Sequence, residues 1–232
     1  MRPAPGEPQF QAGQAFSAWL IAAVVALSGQ VVLLAATGYT NTDPDQRPIW
    51  LDAVLLLPLW FSLLACVVVI SRRWGTGRLP DDYGLRFRVF DLLGIPIGIV
   101  TQAALIPALY WVLHVSSDEV NGSARSLTDR AKHPAEVVLL VLMVVVGAPI
   151  IEELFFRGLL MRSIQARWND GLALVVSAVF FALVHFEPIL IPGLIVFGLI
   201  SGTCAQRTGR LGMSIFAHAA FNGTAVLMLL RS

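Results

Sequence analysis

The chain has 232 residues, of which 56% are hydrophobic and 13% charged, with a formal net charge of +1 and a mean hydropathy of +0.74. Soluble domains carry roughly a quarter charged residues, so the composition excludes an ordinary soluble domain. The near-neutral balance gives no reason to expect nucleic acid as a partner. Cys66 and Cys204 both lie in apolar runs outside any CxxC spacing, which reads as buried structural thiols.

A helix crossing the bilayer needs about 20 mostly apolar residues. Runs that meet this or approach it fall at 16–38, 50–70, 90–114, 136–164, 171–185, 189–206 and 211–230. The expected fold is all-α, a polytopic transmembrane helical bundle of about seven to eight spans. Residues 1–135 supply N-terminal membrane helices and loops, and residues 136–232 a motif-bearing core. The first run, preceded by Arg2, could be a signal peptide, but its apolar core is too long and no small-x-small site ends it. A retained helix is the expectation. The fourth run is overlong, the fifth and sixth are short, and Pro188 and Pro192 punctuate the stretch between them.

The segment from 115 to 135 reads as a loop of mixed charge. The loop "SRRWGTGRLPDDYGLRFR" carries Arg72, Arg73, Arg78, Arg86 and Arg88, and short basic loops stay in the cytoplasm. Alternating spans then place Arg2, Arg162, Arg167, Arg207 and Arg210 inside. The expected location is the plasma membrane, as a multi-pass protein with a cytoplasmic N-terminus.

Within this apolar background, "APIIEELFFRGLLMRS" carries Glu152, Glu153 and Arg157. Each charge at a helix centre costs about 2.5–3.5 kcal/mol on insertion scales, against −0.3 to −0.6 for a good apolar residue. Glu153 and Arg157 are four apart, acid first, the favourable order for an intrahelical ion pair. Glu152 points about 100° away and needs a partner from another helix. Candidates are His185 at the end of "VVSAVFFALVHF", and His218 with Asn222 on one face of "SIFAHAAFNG". At 1.5 Å per residue, Glu152 lies about 15 Å from Arg162, His185 about 21 Å from Asp170 and His218 about 12 Å from Arg210. Alternating helices bring all three to similar depth, placing an active site at mid-membrane. Pro149 should free the carbonyl of Val145 and open a polar cavity beside Glu152.

These residues resemble the CPBP family, which contains type II CAAX prenyl proteases and bacteriocin-processing or bacteriocin-immunity proteins. The family pattern EExxxR, FxxxH and HxxxN is intact and in order, as Glu152 to Arg157, Phe181 to His185 and His218 to Asn222. The resemblance covers about residues 136–230 and implies an intramembrane endopeptidase acting on a membrane-anchored, possibly lipidated, protein or peptide. By that resemblance Glu152 is the general base for water, His185 holds the same water, and His218 with Asn222 stabilises the oxyanion. Glu153 and Arg157 orient the helix. No cofactor is favoured, although Glu152, His185 and His218 also describe a zinc ligand set. Two other functions stay open: an inactive scaffold or immunity-type binding protein of the same fold, and a proton-coupled transporter. The intramembrane ionisable residues crowd into one half with no echo in the other, which argues against the transporter. The stretch "GLISG" is not a GxSG serine site, and no GxGD pair is present.

Overall fold

The computed structural model describes residues 10–231, and among these every regular element is helical. Arg2 lies outside the described residues. Eight main helices follow one another: α1 Ala12–Thr37, α2 Ile49–Trp74, α3 Val89–Val112, α4 Ser117–Arg130, α5 Pro134–Gln165, α6 Asp170–Leu183, α7 Pro188–Thr208 and α8 Gly212–Leu229. Six of them are long and apolar enough to cross a membrane, and α6 is a shorter apolar helix beside them. The bundle is therefore the helical membrane architecture expected from hydropathy.

Outward-facing side chains confirm the solvent. Leu20, Val24, Leu27 and Val31 on α1 are each 59–67% exposed, a belt that water would not tolerate and hydrocarbon favours. The opposite stripe of α1, Ala15, Ala18, Ala22 and Ala26, is buried. Small residues at three- and four-residue spacing let α1 and α2 approach closely, as membrane helices do without a hydrophobic drive between them. The same device joins α3 to α8 more tightly. A Cβ on Gly94 would lie 2.2 Å from the Met213 carbonyl oxygen, and one on Gly98 2.1 Å from that of Ala217. Gly94 and Gly98 therefore fix the register of α3 against the helix that carries His218.

Two ends can be told apart. At one, Arg162 donates to the Gly209 carbonyl at 2.8 Å, Leu211 N–H donates to Gly84 O at 2.8 Å, and Arg210 pairs with the buried Asp91 at 2.7 Å. At the other, Arg130 pairs with Asp52 at 2.8 Å and donates to the Arg47 carbonyl at 2.7 Å, while Ser126 donates to Asp45 at 2.5 Å.

The segment expected to be a loop from 115 to 135 instead contains α4. Ser116 caps it by accepting from the Glu119 N–H, and the Glu119 carboxylate accepts in return from the Ser116 N–H and hydroxyl. This reciprocal S-x-x-E box satisfies donors that the first turn leaves orphaned.

Candidate active site

The site is organised by irregularities in α5. Its 32 residues contain two π-helical stretches, Leu142–Gly147 and Leu154–Met161, flanking the regular turn Ala148–Glu153. Such wide turns are rare and often sit at functional sites. The first follows from Pro149, which has no N–H. In the wide turn Ala148 N–H reaches back to Met143 O, so Val144 O would look to residue 149 for its donor and find none. The Asn222 amide, from α8, donates to Val144 O at 2.7 Å. The freed carbonyl is thus Val144 rather than Val145, because the π register moves the gap by one residue. Gly147 completes the bend: a Cβ there would come within 2.4 Å of the Trp60 ring.

Below the bend the two acids part. Glu153 has no exposed surface. Its Oε1 is 2.9 Å from His218 Nδ1, its Oε2 accepts from the Ser201 hydroxyl at 2.8 Å, and Oε2 also lies 3.4 Å from Arg157 Nε. Arg157 is equally buried; it donates to Gly198 O at 3.3 Å, and its guanidinium carbon sits 4.5 Å above the Phe181 ring. Its Nη1 has no hydrogen-bond acceptor among the described residues, and the guanidinium lies against the Phe156 and Phe181 rings. A desolvated cation over a ring gains about 2 kcal/mol, which offsets part of the missing bond.

Glu152 keeps 22% of its side chain exposed and points into a cavity of about 350 Å³. Its Oε2 lies 3.8 Å from Nε2 of His218. The imidazole is therefore bracketed by the two carboxylates, one at each nitrogen. A carboxylate can only accept, so Nδ1 carries the proton toward Glu153. His185 is fixed in the same sense: its Nδ1–H donates to Phe181 O at 2.7 Å, and its side chain lines the same cavity. Asn222 lines it too.

The structure thus brings Glu152, His185, His218 and Asn222 to one cavity, and places Glu153 and Arg157 in the dry layer beside it. Phe155, Phe156 and Phe181 are at most 3% exposed, so they pack inside and do not touch lipid. Phe181 does more than fill space: its carbonyl orients His185, and its ring lies 4.7 Å from that imidazole and 5.8 Å from His218.

Three residues escaped the sequence reading. Ser201, inside the rejected "GLISG", supports Glu153. Gln102 and Tyr110, from α3, line the cavity, and Tyr110 also ties α3 to α7 by donating to Ile189 O at 2.6 Å. A lone amide in an otherwise apolar span was a readable signal for Gln102, since such a group faces a cavity or a partner rather than lipid. Its position continues the Gly94 and Gly98 stripe by one turn, bringing it level with the Asn222 region of α8.

The zinc set does not assemble. Among the described residues no group of three or more His, Cys, Asp or Glu side chains is close enough to hold a metal ion. Glu152 and His218 approach each other, but His185 does not complete a set with them.

Residues 134–224 match the Rce1-like family, described as type II CAAX prenyl endopeptidases. Over 212 residues the chain is 26% identical to a Bacillus subtilis (strain 168) protein named "Putative membrane peptidase YdiL", covering 86% of this chain and 82% of that one. It is also 26% identical over 215 residues to an Escherichia coli protein named "Uncharacterized 24.3 kDa protein", covering 83% and 91%. No solved structure matches.

Proposed function

We propose, for a chain whose residues 134–224 are Rce1-like, that it is an intramembrane endopeptidase and that Glu152 is its general base. The observation that carries this is the bracketed imidazole. Glu152 Oε2 and His218 Nε2 lie 3.8 Å apart, too far for a good direct bond and close enough to share one water. Glu153, in contact with Nδ1, holds His218 in the tautomer that accepts from that water.

The water gives a proton to Glu152 as its oxygen attacks the scissile carbonyl carbon, and the carbonyl electrons move to the oxygen. The second N–H of Asn222, the one not used by Val144, is the donor available to that oxyanion. One oriented donor of this kind lowers a barrier by about 2.7–4 kcal/mol. Collapse reforms the carbonyl and breaks the C–N bond, and Glu152 returns its proton to the leaving nitrogen. His185, fixed by Phe181 O, presents its free nitrogen to the substrate or to the water. His218 thereby moves from oxyanion donor to water-holding partner, because Glu153 claims its Nδ1–H.

The test is a comparison of membrane peptides from cells expressing the wild type and Glu152→Gln. Termini present only with the wild type support cleavage. An identical set of termini across well-sampled membrane proteins removes the protease reading and leaves a scaffold of the same fold.

A further inference from the structure

We infer that the arginine-rich end of the bundle holds one anionic phospholipid, its phosphate among Arg86, Arg88, Arg162 and Arg210 and an acyl chain in the groove between α3 and α7. This stands apart from the chemistry at Glu152 and does not depend on it. A cavity of about 880 Å³ opens where three parts of the chain meet: the segment before α3, the last turn of α5, and the turn between α7 and α8. The four arginines line it, and Asp81 is the one acid in its wall among the described residues. Asp81 pairs with Arg86, and the buried Asp91 pairs with Arg210 at 2.7 Å. The Arg88 and Arg162 guanidiniums form no ion pair among the described residues, which leaves two cations for a ligand. Arg162 donates to Gly209 O at 2.8 Å, a bond that fixes the side chain without neutralising it. Gly84, at φ +68°, makes room for it: a Cβ there would strike Arg162 Nη2 and lie 2.7 Å from the Gly209 carbonyl oxygen. Guanidinium forks match phosphate oxygens in pairs, and every basic residue in this cavity is an arginine.

Beside this cradle runs a mostly apolar groove of about 480 Å³, and Thr208 lines both. Its floor is one face of α7, where Leu199, Ile200, Thr203, Cys204 and Arg207 recur at helical spacing, and Phe90 and Ile97 of α3 form its wall. From Thr208 back to Leu199 the groove follows about 13 Å of helix, at 1.5 Å per residue. Arg86 and Arg88 alternate with Leu85 and Phe87 in a stretch without regular structure, and Val89 and Phe90, which follow, are 85% and 64% exposed. Cations next to exposed hydrocarbon are the order of a headgroup boundary, with charge at the phosphate level and apolar surface immediately deeper. A soluble anion would use the arginines and leave the groove empty. A zwitterionic lipid would fill the groove but bring its own cation against Arg88 and Arg162. An anionic headgroup on an acyl chain uses both, as basic pockets between membrane helices do.

Thermal unfolding of the full chain in an uncharged detergent tests the assignment, with phosphatidylglycerol, phosphatidylcholine, glycerol phosphate and inorganic phosphate added in turn. Phosphatidylglycerol should raise the midpoint saturably, and the other three should not. Arg88→Gln and Arg162→Gln should each raise the lipid concentration for half the shift about fivefold, the loss expected for one basic residue at a lipid surface. Arg88→Gln breaks no ion pair, so the variant keeps the fold against which the response is read. Ile200→Trp, which fills the groove, should weaken the phosphatidylglycerol response as well. Arg73→Gln, at an exposed position at the end of α2 and outside the cavity, should leave it unchanged. An equal shift by phosphate or glycerol phosphate reduces the site to one for a free anion, and an equal shift by phosphatidylcholine reduces it to ordinary lipid contact. Equal losses in Arg73→Gln and Arg88→Gln reduce it to the overall charge of that end. Each of these results overturns the inference, as does no shift with any of the four.

Discussion

Two regions of α5, one turn of side chains apart, behave as different solvents. On one side Glu153, Arg157 and Ser201 have no exposed surface and contact one another across α5 and α7. On the other, Glu152 faces a cavity lined by six helices besides its own. The same residue type at adjacent positions has opposite work, set by what α7 and α8 place opposite. The dry acid finds a serine, a guanidinium and an imidazole N–H, which hold it in place. The wet acid finds an imidazole 3.8 Å away, across a gap that can hold a water. An identity shared by two neighbours in a motif says little about role; the environment divides them.

Removing one charge from the dry side should have the largest effect on folding. Arg157→Leu leaves Glu153 buried without its guanidinium partner, a loss of about 3–5 kcal/mol in stability. The Glu153→Leu/Arg157→Leu pair should recover much of it, since an apolar pair of similar volume carries no stranded charge. Denaturant unfolding in lipid discs measures both. Equal stability of the single and double variants would remove the ion pair from the account.

An intermediate effect is expected where the two sides meet. Asn222→Ala leaves the Val144 carbonyl without a donor beside Pro149, a cost of about 1–3 kcal/mol. Turnover should fall as well, because the proposed oxyanion donor goes with it. A variant that unfolds more easily yet cuts at the wild-type rate would confine Asn222 to repair of the bent helix.

The smallest effect concerns α4, which lines the cavity. Hydrogen bonds from the Ser116 hydroxyl, then from its N–H, hold the Glu119 carboxyl below its ordinary value. A depressed carboxylate contributes stability above its unfolded pKa of about 4.3 and loses it as pH falls through the lower folded value. Amide exchange in the first turn of α4 should therefore quicken on acidification below that range. Ser116→Ala should show faster exchange already at neutral pH. Exchange independent of both changes would mean that α4 is held by Arg130 and packing rather than by its cap.

Much of this division was legible before any coordinates. Hydropathy located the seven apolar helices to within four residues at each end, because the bilayer imposes a length and a composition that soluble folds do not. The charges of Glu152, Glu153 and Arg157 stood out for the same reason, and the i,i+4 spacing correctly paired Glu153 with Arg157. What stayed hidden depends on relations between helices. Which carboxylate meets which nitrogen of His218 is fixed by the register of α8 on α3, itself set by Gly94 and Gly98 pressing on backbone. The π turns moved the free carbonyl from Val145 to Val144, which no regular periodicity could show. The helix α4 was missed because its composition is that of a loop, although Ser116 and Glu119 already spelled its cap.

The central claim is that adjacent acids divide catalysis from scaffold, and one paired measurement reaches it directly. Glu152→Gln and Glu153→Gln are reconstituted in the same lipid and compared for unfolding and for turnover of a peptide whose terminus depends on the wild type. The account predicts that Glu152→Gln unfolds like the wild type and loses about 10²–10⁴-fold in turnover, whereas Glu153→Gln unfolds far more easily. Full turnover by Glu152→Gln, or undiminished stability of Glu153→Gln, would contradict it.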